Sequence, residues 1–222
     1  MTLKKRLDRL SKLARLEKLS GERTSKELLY AHMLTDALKI RGIKYPPLFP
    51  IAGAANYSLL YLIFRIVDEL SPVGVLELGI GQSTLILDAM NADGLSIEHD
   101  EQWAQFMRGK VTREIICTPL KTREVQGVTT TGYTYDGDQT FEFAIVDGPQ
   151  GEERNSRWGA LEILNRSLAE DFIVIFDDAE RKGEQDTAMA FHKMRGGKDH
   201  IIRAASSQCI IYSDKFAPVG WF

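Results

Sequence analysis

The 222-residue sequence predicts an α/β protein with a mostly parallel seven-stranded sheet, and three observations point to it. Apolar, strand-like segments at 73–78, 95–99, 113–117, 142–147 and 172–177 are separated mostly by helix-sized stretches, the rhythm of parallel strands whose connecting helices cover both faces. The rhythm changes at the end, where HIIRAA and QCIIYS flank the short turn SS and predict a closing antiparallel hairpin. The N-terminal quarter carries helical rather than strand spacing. At 44% hydrophobic and 27% charged, the chain can bury one sizeable core, so we expect an N-terminal helical extension over 1–54 and a sheet domain over 55–222.

The first expected helix, over 2–19, has Leu at 3, 7, 10, 13, 16 and 19 and carries seven Lys or Arg against two acids. Such a helix can lie on an anionic membrane surface, but packing on its own domain or on a dimer mate is the favoured reading, which makes a homodimer through the N-terminal helices an expected partnership. A second helix is expected over 24–40, with Thr24 and Ser25 as its cap and Gly42 as its stop. The Pro-rich turn KYPPLFP then leads to a third helix over 56–70. The longest apolar run, YSLLYLIFRIV, is too short to span a membrane and is interrupted by Arg65, and no signal-peptide core is present; a cytoplasmic protein is expected. A net charge of -3 gives no footprint for nucleic acid. Cys117 and Cys209 sit in strand-like contexts without a CxxC, which predicts buried free thiols rather than a disulfide or zinc site.

The stretch VGVLELGIGQSTLILDAM, residues 73 to 90, reads as strand, glycine turn and helix. Beyond the C-terminal end of such a strand, Gly79 and Gly81 let backbone approach a ligand, and the helix opening at Gln82, through Ser83 and Thr84, presents N–H groups and a positive dipole end. An anionic or zwitterionic ligand suits that place. Thr84 stands where a dinucleotide fingerprint wants its third glycine, and Glu77 lies two residues before the first, an ExGxG pattern closer to a methyltransferase turn than to an NAD site. Glu98 ends the next strand, 19 residues past Gly79, where an acid can accept both hydroxyls of a ribose.

Further carboxylates close the later strands: Asp147 in FEFAIVDGPQG, and Asp177 and Asp178 in DFIVIFDDAER. Three acids on one rim repel unless something cationic accompanies them. A hard ion, Mg²⁺ or Mn²⁺, is one occupant; the other reading is that one Asp caps the following helix and another meets an adenine edge or solvent.

A sheet finished by a hairpin, with an ExGxG turn, resembles the Rossmann-like class I S-adenosylmethionine-dependent methyltransferases. Three stretches in order, ELSPVGVLELGIGQSTLILDAMNADGLSIEHDEQW, VDGPQGEERNSRWGALEIL and FDDAERKGEQ, are similar to the glucuronoxylan 4-O-methyltransferase-like family over residues 55 to 192. The resemblance implies S-adenosylmethionine as cofactor, contacted by Glu77, Gly79, Gly81, Ser83, Thr84 and Glu98. It also implies O-methylation of a sugar or glycan hydroxyl, with Arg154, Arg157 and Arg181 available to face an acceptor carboxylate. Two departures leave the acceptor open: the membrane anchor of xylan-acting members is not seen, and Glu77 is more like the wider class. Asp147 is expected as the base, or, with Asp177 and Asp178, as a ligand of a metal that lowers the hydroxyl pKa. His32 and His192 are weaker candidate bases, and Trp158 suits either a sugar platform or the core. An NAD-dependent oxidoreductase or epimerase competes poorly, lacking a Tyr-x-x-x-Lys pair; a noncatalytic binding module using the basic first helix is the remaining class.

Overall fold

The computed structural model describes residues 3–48 and 54–222, with side chains from residue 21 onward. Its first element, α1 (Leu3–Ile40), is one continuous helix of 38 residues rather than the two expected. The Thr24–Ser25 cap predicts a break there, but the helix runs through it and through Gly21; a lone glycine costs about 1 kcal/mol in a helix interior, less than is lost by ending and restarting one. The expected packing of Leu3 through Leu19 falls on side chains outside those described. The second half of α1 buries Leu34 and Leu38 against α2 (Tyr57–Arg65), which runs on through a π turn at Ile66–Leu70, so this extension shares the core of the sheet.

The seven-stranded sheet has the order β3-β2-β1-β6-β7-β9-β8. Its strands are β1 (Val75–Leu78), β2 (Gly94–Glu98), β3 (Glu114–Cys117), β6 (Phe141–Val146), β7 (Leu168–Phe176), β8 (Lys198–Arg203) and β9 (Ser207–Tyr212). The pairings from β3 to β7 are all parallel, as expected. The closing hairpin is present with its turn at 204–206, slightly earlier than SS, and it folds back so that β9 lies antiparallel between β7 and β8. Helices α3 (Gln82–Ala89), α4 (Glu101–Arg108), α5 (Ala160–Ser167) and α6 (Lys182–Arg195) complete the layers, and a 3-10 segment, Asp214–Trp221, follows β9.

Central strands read as unbroken apolar runs because both faces are buried. In β6, Phe143 and Ile145 join the core with α1 and α2, while Ala144 and Val146 join the opposite one with α5 and α6; β7 alternates the same way. A second, two-stranded sheet, β4 (Lys121–Val125) and β5 (Val128–Gly132), was not expected and takes the place of a crossover helix. Gln126 and Gly127, with φ of 51° and 77°, make its two-residue turn. Cys117 and Cys209 are free and half-buried, and burial pushes both thiols up to about 11. Among the described residues no helix is long and apolar enough to cross a membrane.

Candidate active site

The glycine turn after β1 is held from every side. Gly79 has φ +92°, and a Cβ there would lie 2.7 Å from the Gly148 nitrogen, so the exit loops of β1 and β6 are in direct backbone contact. Gly81, by contrast, has nothing within 4 Å of a Cβ position and marks the open side. The turn's own N–H groups are already used: Gly79 donates to Ile97 O, Ile80 to a Glu98 oxygen (3.3 Å) and Gly81 to Thr84 Oγ1 (2.9 Å). The glycines therefore contribute room rather than donors, and the space at Gly81 with the start of α3, where free N–H groups are expected, are the ligand-facing features. Trp103 of α4 donates from its indole to Ile80 O at 3.0 Å and fixes the turn from above.

Glu77 stands beneath this turn, fully buried. Its Oε2 accepts from Thr84 Oγ1 (2.8 Å) and Ser96 Oγ (2.6 Å), and Ser96 in turn accepts from Arg113 Nε. Burial raises its pKa, with Arg113 and the hydroxyls opposing. Ser83 and Thr84 are buried as well, so Glu77 and Thr84 shape the turn from within rather than presenting atoms to its open face. Glu98 is on the rim: Oε1 accepts from the N–H groups of His99 (2.6 Å) and Asp100 (3.0 Å), with His99 Nδ1 2.7 Å away. A carboxylate has about four acceptor sites; with the Ile80 N–H on Oε2, three are taken by backbone donors, and the capacity left for a ligand hydroxyl is on Oε2.

One residue that the sequence did not single out joins this rim. Tyr133, just after β5, is buried with its hydroxyl against Gly148, where a Cβ would come within 2.4 Å of it, and its ring lies 5.8 Å from that of His99. Burial first, then Glu98, push its pKa up. Recognising Gln126–Gly127 as a hairpin turn would have found Tyr133, since the hairpin delivers it.

The three later acids do converge: one carboxylate oxygen each of Asp147, Asp177 and Asp178 lie within 4.8 Å of one another. Asp177 is anchored from the reversed strand, accepting from Gln208 Nε2 (2.8 Å) and from Ser206 Oγ (3.1 Å). Asp147 is held well above the usual carboxylate range by burial and then by Asp177, with Arg157 pulling the other way; burial also raises Asp177.

Arg157 is the cation of this cluster. Its side chain is 5% exposed, with Nη2 3.0 Å from Asp178 Oδ2 and 3.4 Å from Asp147 Oδ1. Nε donates to Pro149 O, and Nη1 to the carbonyls of Val146 and Asp177. The guanidinium's N–H groups are thus spent on the protein, and the expectation that Arg157 clamps an acceptor carboxylate is corrected. Arg154 is 63% exposed and paired with Asp186, which Lys182 shares. Arg181 alone fits that expectation in position, 54% exposed and 3.0 Å from Asp178.

The spacing of the three acids suits a divalent ion, but the donor set does not, because two of them already face a buried guanidinium and the third accepts from Gln208 and Ser206. The loop that carries Arg157 is fastened to α6: Ser156 N–H donates to Gly183 O, Ser156 Oγ to Glu184 and Thr187 Oγ1 to Ser156 O. Trp158 is half-buried against the core with α5 and α6 and donates its indole N–H to Val125 O. His32 is exposed on α1, and His192 meets Gly197 O far from the rim.

No protein-family model matches the chain, and no curated protein matches it in sequence. Solved structures do match in fold. A 16S rRNA methyltransferase of T. thermophilus, in complex with AdoMet and guanosine, aligns over 69% of this chain and 42% of its own, at 12% identity and a TM-score of 0.52. A methyltransferase from Geobacter sulfurreducens aligns over 83% of this chain and 88% of its own, at 13% identity and a TM-score of 0.51. This chain thus spans less than half the length of the rRNA enzyme. The fold is the Rossmann-like one of class I methyltransferases.

Proposed function

We propose that the chain is an S-adenosylmethionine-dependent O-methyltransferase whose acceptor is a hydroxyl on an anionic sugar or glycan. The observation that carries this is the meeting, at the C-terminal ends of β1, β2 and β6, of the glycine turn open at Gly81, the rim acid Glu98 and the perturbed carboxyl of Asp147. The cofactor, when bound, supplies a methyl group on a positively charged sulfur. Glu98, through the acceptor capacity left on Oε2, would hold the ribose, and the space at Gly81 near the start of α3 would admit the charged amino-acid end. Asp147 takes the proton of the acceptor hydroxyl as the new oxygen–carbon bond forms and the sulfur–carbon bond breaks; positioning of the two reactants supplies much of the rate. The metal-assisted alternative is set aside for this direct base. Calorimetry with S-adenosylmethionine tests the reading: binding by the native chain, its loss in Glu98→Ala and no binding of NAD are expected, and equal affinity in the variant sinks the cofactor assignment.

The anionic acceptor rests on Arg181, the one arginine of the three with its guanidinium on the open side of the acids. A planar guanidinium distinguishes a carboxylate or phosphate from a neutral sugar. Its exposure weakens the contact, so Arg181→Ala is expected to lower kcat/KM about tenfold, roughly 1.4 kcal/mol, on a uronate or sugar phosphate and to leave the neutral counterpart unchanged. An equal effect on both acceptors makes Arg181 a surface ion-pair partner and removes the anionic requirement.

A further inference from the structure

We infer that Arg157 is a built-in substitute for a metal ion: the three carboxylates form a divalent-cation site that the chain closes with its own guanidinium. This rests on Asp147 being the base, since it gives that base a fixed positive neighbour, but the geometry stands without the reaction. Asp147, Asp177 and Asp178 bring oxygens within 4.8 Å of one another from two adjacent strand ends, and the buried cation among them is Arg157, with the exposed Arg181 reaching Asp178 from outside. Nη2 of Arg157 lies against Asp178 and Asp147, while Nη1 and Nε are tied to the carbonyls of Val146, Asp177 and Pro149. A divalent ion at those oxygens would sit against a full positive charge in a dry place, where like charges repel strongly.

The guanidinium is also held against swinging away. Arg157 itself has φ +57°, the left-handed region that a bulky residue rarely adopts. Such a conformation persists only where the surroundings over-determine it. Here they do: Ser156, the preceding residue, is bound to Gly183, Glu184 and Thr187, and a Cβ on Gly183 would lie 2.2 Å from Glu152 O, so the loop and α6 are in contact too close for any other residue there. Arg157 is therefore a positioning residue, fixing the separation and charge of the acids without touching an acceptor.

The test reads metal binding rather than turnover. Mn²⁺ titration followed by electron paramagnetic resonance is expected to find no stoichiometric site in the native chain, and one site in Arg157→Gln that disappears in Arg157→Gln/Asp178→Asn. Arg157→Lys, which retains a charge, is expected to behave like the native chain. Stoichiometric Mn²⁺ in the native chain, weakened in an Asp178→Asn variant that circular dichroism shows to be folded, overturns the inference. So does a folded Arg157→Gln, checked by circular dichroism, that binds no Mn²⁺. Failure of S-adenosylmethionine to bind counts against the proposed function alone, since the Mn²⁺ result does not depend on it.

Discussion

Asp147→Asn is expected to lower kcat by about 10² to 10⁴-fold while changing S-adenosylmethionine affinity little, because it removes a proton acceptor and keeps the shape of the side chain. The carboxyl follows β6 and is 22% exposed, open enough to meet an acceptor yet dry enough to be perturbed. Burial and Asp177 hold its pKa above the ordinary carboxylate range, against the pull of Arg157. The sign for activity follows directly. A base works only when ionised, so kcat/KM should rise with pH along a limb lying above that range and level off once Asp147 is deprotonated. In the complex, the positive sulfur favours the ionised form, so the corresponding limb in kcat should lie at lower pH. The Asn variant should lack both limbs. Retention of native kcat would mean that the proton leaves by another route and that Asp147 is structural.

Gly79→Val is expected to be the most damaging single change to the site. The residue would have to adopt φ +92° with a branched side chain, and its Cβ would meet the backbone of Gly148 at 2.7 and 2.8 Å, atoms that cannot move without separating β1 from β6. A loss of roughly 4 kcal/mol or more is expected, and with it a fall in Tm of about 10 °C for a domain of this size, together with loss of cofactor binding. This differs from a clash with ligand alone, which the sequence suggests for this position. Gly81→Ala is the control, since open space surrounds its Cβ position. It should leave Tm nearly unchanged and weaken only binding. If Gly79→Val melts like the native protein, the contact between the two exit loops is not what keeps residue 79 a glycine.

Much of this was legible because it is written in local spacing. The move from apolar runs to helical periods, with glycines between, located β1, the turn and α3, and the carboxylates that end β2, β6 and β7 lay where strand ends must lie in a parallel sheet. The hairpin of β4 and β5 escaped notice because it is written in Lys, Arg and Thr rather than apolar alternation, although Gln126–Gly127 was there to be read. The role of Arg157 had no local signature at all. Its acidic partners lie 10 and 21 residues away along the chain and meet it only after β6 and β7 pair, so nothing in the loop's composition separates a guanidinium turned inward from one turned out. Glu77 is similar: its position suggests a ligand contact, while its hydroxyl partners, one in α3 and one in β2, give it the work of bracing the turn.

The reversed strand at the sheet's far side also sets an order of events in synthesis. β8 leaves the ribosome before β9, yet β9 lies between β8 and β7 in the finished sheet, so β8 has no neighbour to join until the chain behind it is made. For that interval β7 is an unpaired edge, the kind of surface on which nascent chains associate wrongly. The same late strand and the turn before it bring Gln208 and Ser206 to Asp177. Maturation of the acid cluster is thereby tied to closure of the sheet, and a nascent chain cannot acquire its finished electrostatic centre while it still has a vulnerable edge.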